Sequence, residues 1–241
     1  MDKMNYILLV LIISAALLSP FISNYQYGQD KGQKTQFKPL NDPQKYQFLG
    51  KTDYGFVIKS GPYGNPNSAR KTALIVGVHP LEINSHKGIV ESLKLLSNSI
   101  DCSYYIYSVY VTKDRDSYNN GRMNGQLLAK RYVVEDIKKN NFDLAIDIHS
   151  NRGLYQEKRF ICVPIDDKKS KSIAFKLKDN LSWLVYYLPP KDKGPSSPNY
   201  VTVPLIESGT PSMVYETYKY ESYFLTLKHA SEFILNVDNL N

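Results

Sequence analysis

Cysteine and histidine are scarce in this chain: its 241 residues include two cysteines and four histidines. Two thiols, Cys102 and Cys162, exclude a disulfide framework and a four-thiolate zinc site, and allow at most one bridge if the fold brings them together. Stability must therefore come from burial. Hydrophobic residues make up 42% of the chain and charged residues 22%, which is enough apolar material for a packed core and too little charge for wholesale disorder. The 30 lysines and arginines exceed the 23 acidic residues, for a net charge of +7. They are spread along the chain, with no basic arm and no nucleic-acid-binding motif, so nucleic acid is not an expected partner and the charge reads as a solvated basic surface. No internal repeat is present.

The N-terminus has a different composition. After Asp2 and Lys3, an apolar run extends from Tyr6 to Leu18, is broken by Ser19-Pro20 and closes with Phe21 and Ile22. This is the hydrophobic region of an export segment over residues 1–22, at the lower edge of what spans a bilayer and without a clear signal-peptidase site. A cleaved signal peptide and a retained membrane anchor both remain open, and either makes the protein extracytoplasmic, secreted or membrane-anchored. Residues 23–48 are rich in Asn, Gln, Lys, Asp and Gly and read as a polar tether. The remainder, 49–241, is roughly 190 residues, the size of one domain.

Within that domain the periodicity alternates. Short apolar runs, among them Thr72–Val78, Cys102–Val111, Asp143–Ile148, Arg159–Ile165 and Ser212–Glu216, read as strands, several of them buried on both faces. Amphipathic stretches at Ser85–Asn98, Met123–Lys139, Lys171–Leu184 and Ser222–Val237 read as helices, the first with Ser85 as a possible N-cap, and Val201–Glu207 as a short helix. Strand Tyr54–Lys59 opens the series, and Leu188–Asn199 is a loop. This rhythm predicts an α/β fold of three layers, a largely parallel mixed sheet with helices on both faces. Such sheets carry their sites beyond the carboxyl ends of the strands.

That rule singles out His79 and Glu82, just after the Thr72–Val78 strand, and His149, just after Asp143–Ile148. A His-x-x-Glu turn directs an imidazole and a carboxylate the same way, and a histidine from a neighbouring strand completes one face of a tetrahedral zinc whose fourth position is left to water. Hydrolysis at such a zinc also needs a base. Glu216, ending the last strand, is the candidate, with Glu207, inside a short helix, as the alternative.

The segments Gly77-Val78-His79-Pro80-Leu81-Glu82 and Asp147-Ile148-His149-Ser150 together resemble the zinc-ligand pattern of the metallocarboxypeptidases, in particular their compact succinylglutamate desuccinylase/aspartoacylase-like branch. The likeness covers roughly residues 70–220. It implies a zinc held by His79, Glu82 and His149, with Glu216 as general base. The pattern departs from the family in two places. Pro80-Leu81 stands where the deacylases carry Gly-Asn, and the Asp-x-Asn-Arg element that holds the substrate carboxylate has only an approximate match around Ser117-Tyr118-Asn119-Asn120, without its arginine. Arg115, Arg122 and Arg152 are near enough in sequence to replace it, beside Asn119, and a guanidinium suits bidentate carboxylate recognition.

The expected function is an exported, zinc-dependent hydrolase of an amide bond, a carboxypeptidase or N-acyl amino acid deacylase, with an anionic peptide or N-acyl amino acid substrate and cell-wall peptides as an extracytoplasmic source. The alternative is a non-catalytic envelope binding module on the same fold. His86 reads as solvated or capping and His229 as structural, while Asp147 either orients a ligand or caps a strand end. Of the tyrosines, Tyr215 and Tyr218 are the ones expected near the chemistry.

Overall fold

The computed structural model describes residues 45–190 and 197–240. The export segment and most of the tether lie outside them. Strand β1 runs Lys45–Thr52, so the fold begins inside the stretch assigned to the tether. It is followed by β2 (Gly55–Gly64), β3 (Lys71–Val76), α1 (Ile83–Leu96) and β4 (Ser103–Val111). Helix α2 (Tyr118–Leu128) continues through a π-helical turn, Ala129–Val134, into α3 (Glu135–Lys139), and β5 (Leu144–Asn151) and β6 (Phe160–Cys162) come next. The chain ends with α4 (Lys168–Asn180), β7 (Val185–Tyr186), α5 (Thr202–Glu207), β8 (Ser212–Tyr218) and α6 (Tyr223–Asp238).

The eight strands form one sheet in the order β1-β2-β4-β3-β5-β8-β6-β7. The centre, β4-β3-β5-β8, is parallel, and antiparallel pairs flank it on both sides. This is the three-layer α/β architecture expected from the alternating pattern. Because side chains alternate along a strand, Leu74, Val76, Ile146 and Ile148 pack against α1, α4 and α6 on one face. Ala73, Ile75 and Ala145 face the other way, against Leu128, Val133 and Ile137 of the α2–α3 segment and Leu205 of α5. Among the described residues no helix is long and apolar enough to cross a membrane.

Several boundaries differ from the sequence reading for local reasons. Helix α1 starts at Ile83 with Glu82 in the N-cap position, and Ser85 is buried, bonding back to the Glu82 carbonyl. Helix α2 starts at Tyr118, earlier than the apolar pattern shows, because the Ser117 hydroxyl accepts from the Asn120 N–H and caps it. β3 stops at Val76. Gly77 then turns the chain with φ +87°, and a Cβ there would fall on the Val109 carbonyl, so glycine is required. Cys102 and Cys162 are buried free thiols and form no bridge.

Candidate metal centre and cleft

The turn after β3 presents His79 and Glu82, while His149 lies within β5 rather than beyond it, since the strand runs on to Asn151. Alternation puts Asp147 and His149 on the face opposite Ile146 and Ile148. The parallel register between β5 and β8 pairs His149 with Glu216 directly. His79, Glu82, His149 and Glu216 are all buried.

Glu82 is the hub. Its Oε1 accepts from His79 Nδ1 at 3.0 Å and Arg122 Nη1 at 2.9 Å, and its Oε2 from His149 Nδ1 at 2.9 Å and the Ser150 N–H at 3.0 Å. The far nitrogens of both imidazoles are held as well. His79 Nε2 lies 3.1 Å from the Gln126 amide, and His149 Nε2 lies 2.8 Å from Asp147 Oδ2 and 3.0 Å from Ser197 Oγ. Both rings are thereby fixed with Nδ1 turned toward the carboxylate, the outer-partner arrangement that orients metal-ligating histidines.

The charges follow from this packing. Burial, with His149 nearby, pushes His79 down to about 4, so it is neutral. Burial also opposes charge on His149, but Asp147 and Glu82 together outweigh it and hold its pKa well above the ordinary value. Glu82 resists burial in the same way, its carboxyl held well below the usual range by the two histidines. For Glu216, burial reinforced by the Glu82 charge outweighs the opposing pull of His149 and Asn151 and raises the carboxyl to about 8.

One donor atom from each of His79, Glu82 and His149 lies within 4.8 Å of the others. Two imidazole nitrogens and a carboxylate, buried and converging, fit a metal ion, and this donor set suits zinc among others. With a metal held by these three residues, Arg122 and the Ser150 N–H would still hold Glu82, and Gln126 and Asp147 would steady the two imidazoles.

The site opens into a cleft of about 610 Å³ whose wall includes His79, Glu82, Tyr118, Arg122, Tyr155 and Glu216. Asn119 and Arg152 line it too, whereas Arg115, exposed in the loop before α2, does not. Glu207 is exposed at the end of α5 and takes no part in the lining, which leaves Glu216 as the cleft's free carboxyl. Tyr215 is buried in the core, stacked on Phe233, and Tyr218 is absent from the lining. Tyr118 and Tyr155 are there instead. His86 is half-buried, its Nε2 bonded to the Ile148 carbonyl at 3.1 Å, and His229 stacks on Trp183.

Gln126, Ser197, Asn151 and Lys219 were not legible as site residues. Gln126 alone left a trace, a polar side chain on the buried face of a helix. Ser197 comes from a loop rich in serine and proline, with nothing to distinguish it from its neighbours.

No family model matches the sequence, and no curated protein does. Solved structures do resemble the fold. A metallo-carboxypeptidase from Burkholderia cenocepacia matches with a TM-score of 0.54 at 12% identity, covering 80% of this chain and 64% of that one. The tripeptide-bound cell shape determinant Csd4 of Helicobacter pylori matches with a TM-score of 0.52 at 13% identity, covering 78% and 56%. The chain spans about six-tenths of the length of the structures it matches. It has the metallocarboxypeptidase-like fold, as the His-x-x-Glu and Asp-x-His segments implied.

Proposed function

We propose that the chain is a zinc-dependent amide hydrolase, a carboxypeptidase or N-acyl amino acid deacylase acting on anionic substrates outside the cytoplasm. The observation that carries this reading is the pairing of His149 with Glu216 across β5 and β8. It sets a buried carboxyl of raised pKa beside three side chains able to hold a metal, two of which, His79 and Glu82, line the same cleft as Glu216.

His79, Glu82 and His149 would hold the zinc, which when bound supplies a Lewis acid for the scissile carbonyl and lowers the pKa of a coordinated water to about 7. Glu216 would serve as the base that takes a proton from water and returns it to the leaving amine. Its pKa of about 8 belongs to the metal-free site, and a cation beside the carboxyl would favour the charged form that a base needs. Asn151, whose Nδ2 lies 3.5 Å from Glu216 Oε2 and donates to the Thr217 and Lys158 carbonyls, limits where that carboxyl can swing.

Arg122 is engaged with Glu82, while the Arg152 guanidinium lies 5.0 Å from the Tyr118 ring centre and meets no carboxylate among the described residues. Arg152 is therefore the better residue for a substrate carboxylate, and Arg122 for steadying the ligand. The tripeptide bound to Csd4 makes a peptide the first substrate class to try. The apolar N-terminal run supports an extracytoplasmic location, with cell-wall peptides a natural source.

The test is hydrolysis of peptides and N-acyl amino acids with a free carboxylate by zinc-loaded protein. Glu216→Gln should retain zinc and lose turnover by about two to four orders of magnitude. Turnover surviving intact in that variant would remove Glu216 as the base. No turnover of any amide by the unmutated protein would favour a binding module.

A further inference from the structure

We propose that Lys219 is a specificity-determining residue which, together with Arg152, receives a carboxylate of the substrate at the head of the β5–β8 pair. This rests on the hydrolase reading above for its biological meaning, though not for its physical test.

The β5–β8 register ends with Asn151 opposite Tyr218. The Lys219 N–H then donates to the Asn151 carbonyl at 2.8 Å, carrying the pairing one step past the strands. Arg152 and Lys219 are thus neighbours, each three residues beyond one of the facing pair His149 and Glu216. Both line the cleft.

Lys219 is not a lysine swinging in solvent. Its Nζ bonds the Leu81 carbonyl at 3.1 Å, which sets the ammonium beside the turn that carries Glu82. That bond uses one of three ammonium protons and leaves two for a ligand. On the other strand end, Arg152 packs on Tyr118, whose ring also meets the Arg122 guanidinium at 4.9 Å.

Glu82, the acidic side chain beside Lys219 and Arg152 in the cleft wall, is already occupied by two imidazoles and Arg122. Among the described residues neither Lys219 nor Arg152 has a carboxylate within ion-pair distance. Two cations on adjoining strand ends, one a planar fork resting on Tyr118 and the other a point charge held at the Leu81 carbonyl, fit a carboxylate received from two sides.

The experiment titrates the full-length protein calorimetrically with N-acetylglycine and with its amide, comparing wild type, Lys219→Met and Lys219→Arg. Wild type should bind the acid in clear preference to the amide, Lys219→Met should weaken the acid by about tenfold or more, and Lys219→Arg should recover most of it. Equal affinity of wild type for acid and amide would overturn the proposal, and so would undiminished acid binding by Lys219→Met. For any peptide the protein hydrolyses, Lys219→Met should collapse the ratio of kcat/KM between free and amidated forms, with the change carried by KM. A fall in kcat alone, with the ratio kept, would mark Lys219 as structural and overturn the assignment. Binding that depends on Lys219 in a protein that hydrolyses nothing would leave this inference standing and sink the hydrolase reading.

Discussion

Replacing Glu216 by glutamine should stabilise the metal-free protein, and by an amount that depends on pH. The carboxyl is buried and raised to about 8 against an ordinary 4.5. Between those values the folded state keeps a proton that the unfolded state has released, so stability falls as pH rises through the window. Each pH step costs about 1.4 kcal/mol, which makes the cost at pH 7 about 3 kcal/mol and at pH 5 under about 1 kcal/mol. Glutamine does not titrate and is free of that cost. Urea unfolding of chelator-treated wild type and Glu216→Gln, at pH 5 and pH 7.5, measures the difference. The variant should lead by about 4 kcal/mol at the higher pH and by under about 1 kcal/mol at the lower. Adding zinc should narrow the gap, because a cation facing Glu216 favours its charged form. Equal differences at both pH values, or a variant less stable at pH 7.5, would refute the argument that Glu216 is an uncompensated buried acid.

Other expectations follow from the same packing. His86 is held down to about 4 by burial, so the unfolded state binds the extra proton between pH 4 and 6.5 and stability is lost as pH falls through that range. His86→Gln should make the acid limb shallower by up to about 1.4 kcal/mol per pH step, read from unfolding midpoints. A Cβ on Gly125 would fall on the Val78 carbonyl, one residue before His79. Gly125→Ala should therefore weaken metal affinity as well as stability, and competition with a chromophoric chelator would show it. A chain starting at Pro43 should fold and bind metal. One starting at Gly55 should lose about 2 kcal/mol or more, since β1 brings Leu49 to the core, stacks Phe48 on Phe56 and accepts the Tyr132 hydroxyl at the Lys51 carbonyl. Arg152→Ala should erase any preference for free over amidated substrates in kcat/KM.

The central strands were legible because buried parallel strands leave continuous apolar runs such as Thr72-Ala73-Leu74-Ile75-Val76. β1 was not. It is an edge strand in which Tyr46 and Phe48 are exposed and Gln47 and Lys51 intervene, so its composition is that of a tether. β5 looked shorter than it is because His149, Ser150 and Asn151 end it with polar side chains, and these are buried by the site they build rather than by a core. Asn119, Asn120 and Gly121 hid the first turn of α2, since they are weak helix formers whose helix depends on the Ser117 cap. The metal donors could be read because their chemistry and their places at strand ends coincide. The residues that hold them could not. Gln126, Ser197 and Lys219 reach the site through tertiary packing, from a helix face, a loop and the step past a strand, and no spacing in the sequence joins them to His79 or His149.

Metal content of the purified protein decides whether His79, Glu82 and His149 form a metal site. Elemental analysis after zinc loading and exhaustive dialysis should give close to one zinc per chain for the wild type and a small fraction of that for His149→Ala, with Glu216→Gln like the wild type. Stoichiometric zinc in His149→Ala, or none in the wild type, would contradict the assignment of His79, Glu82 and His149 as the metal site.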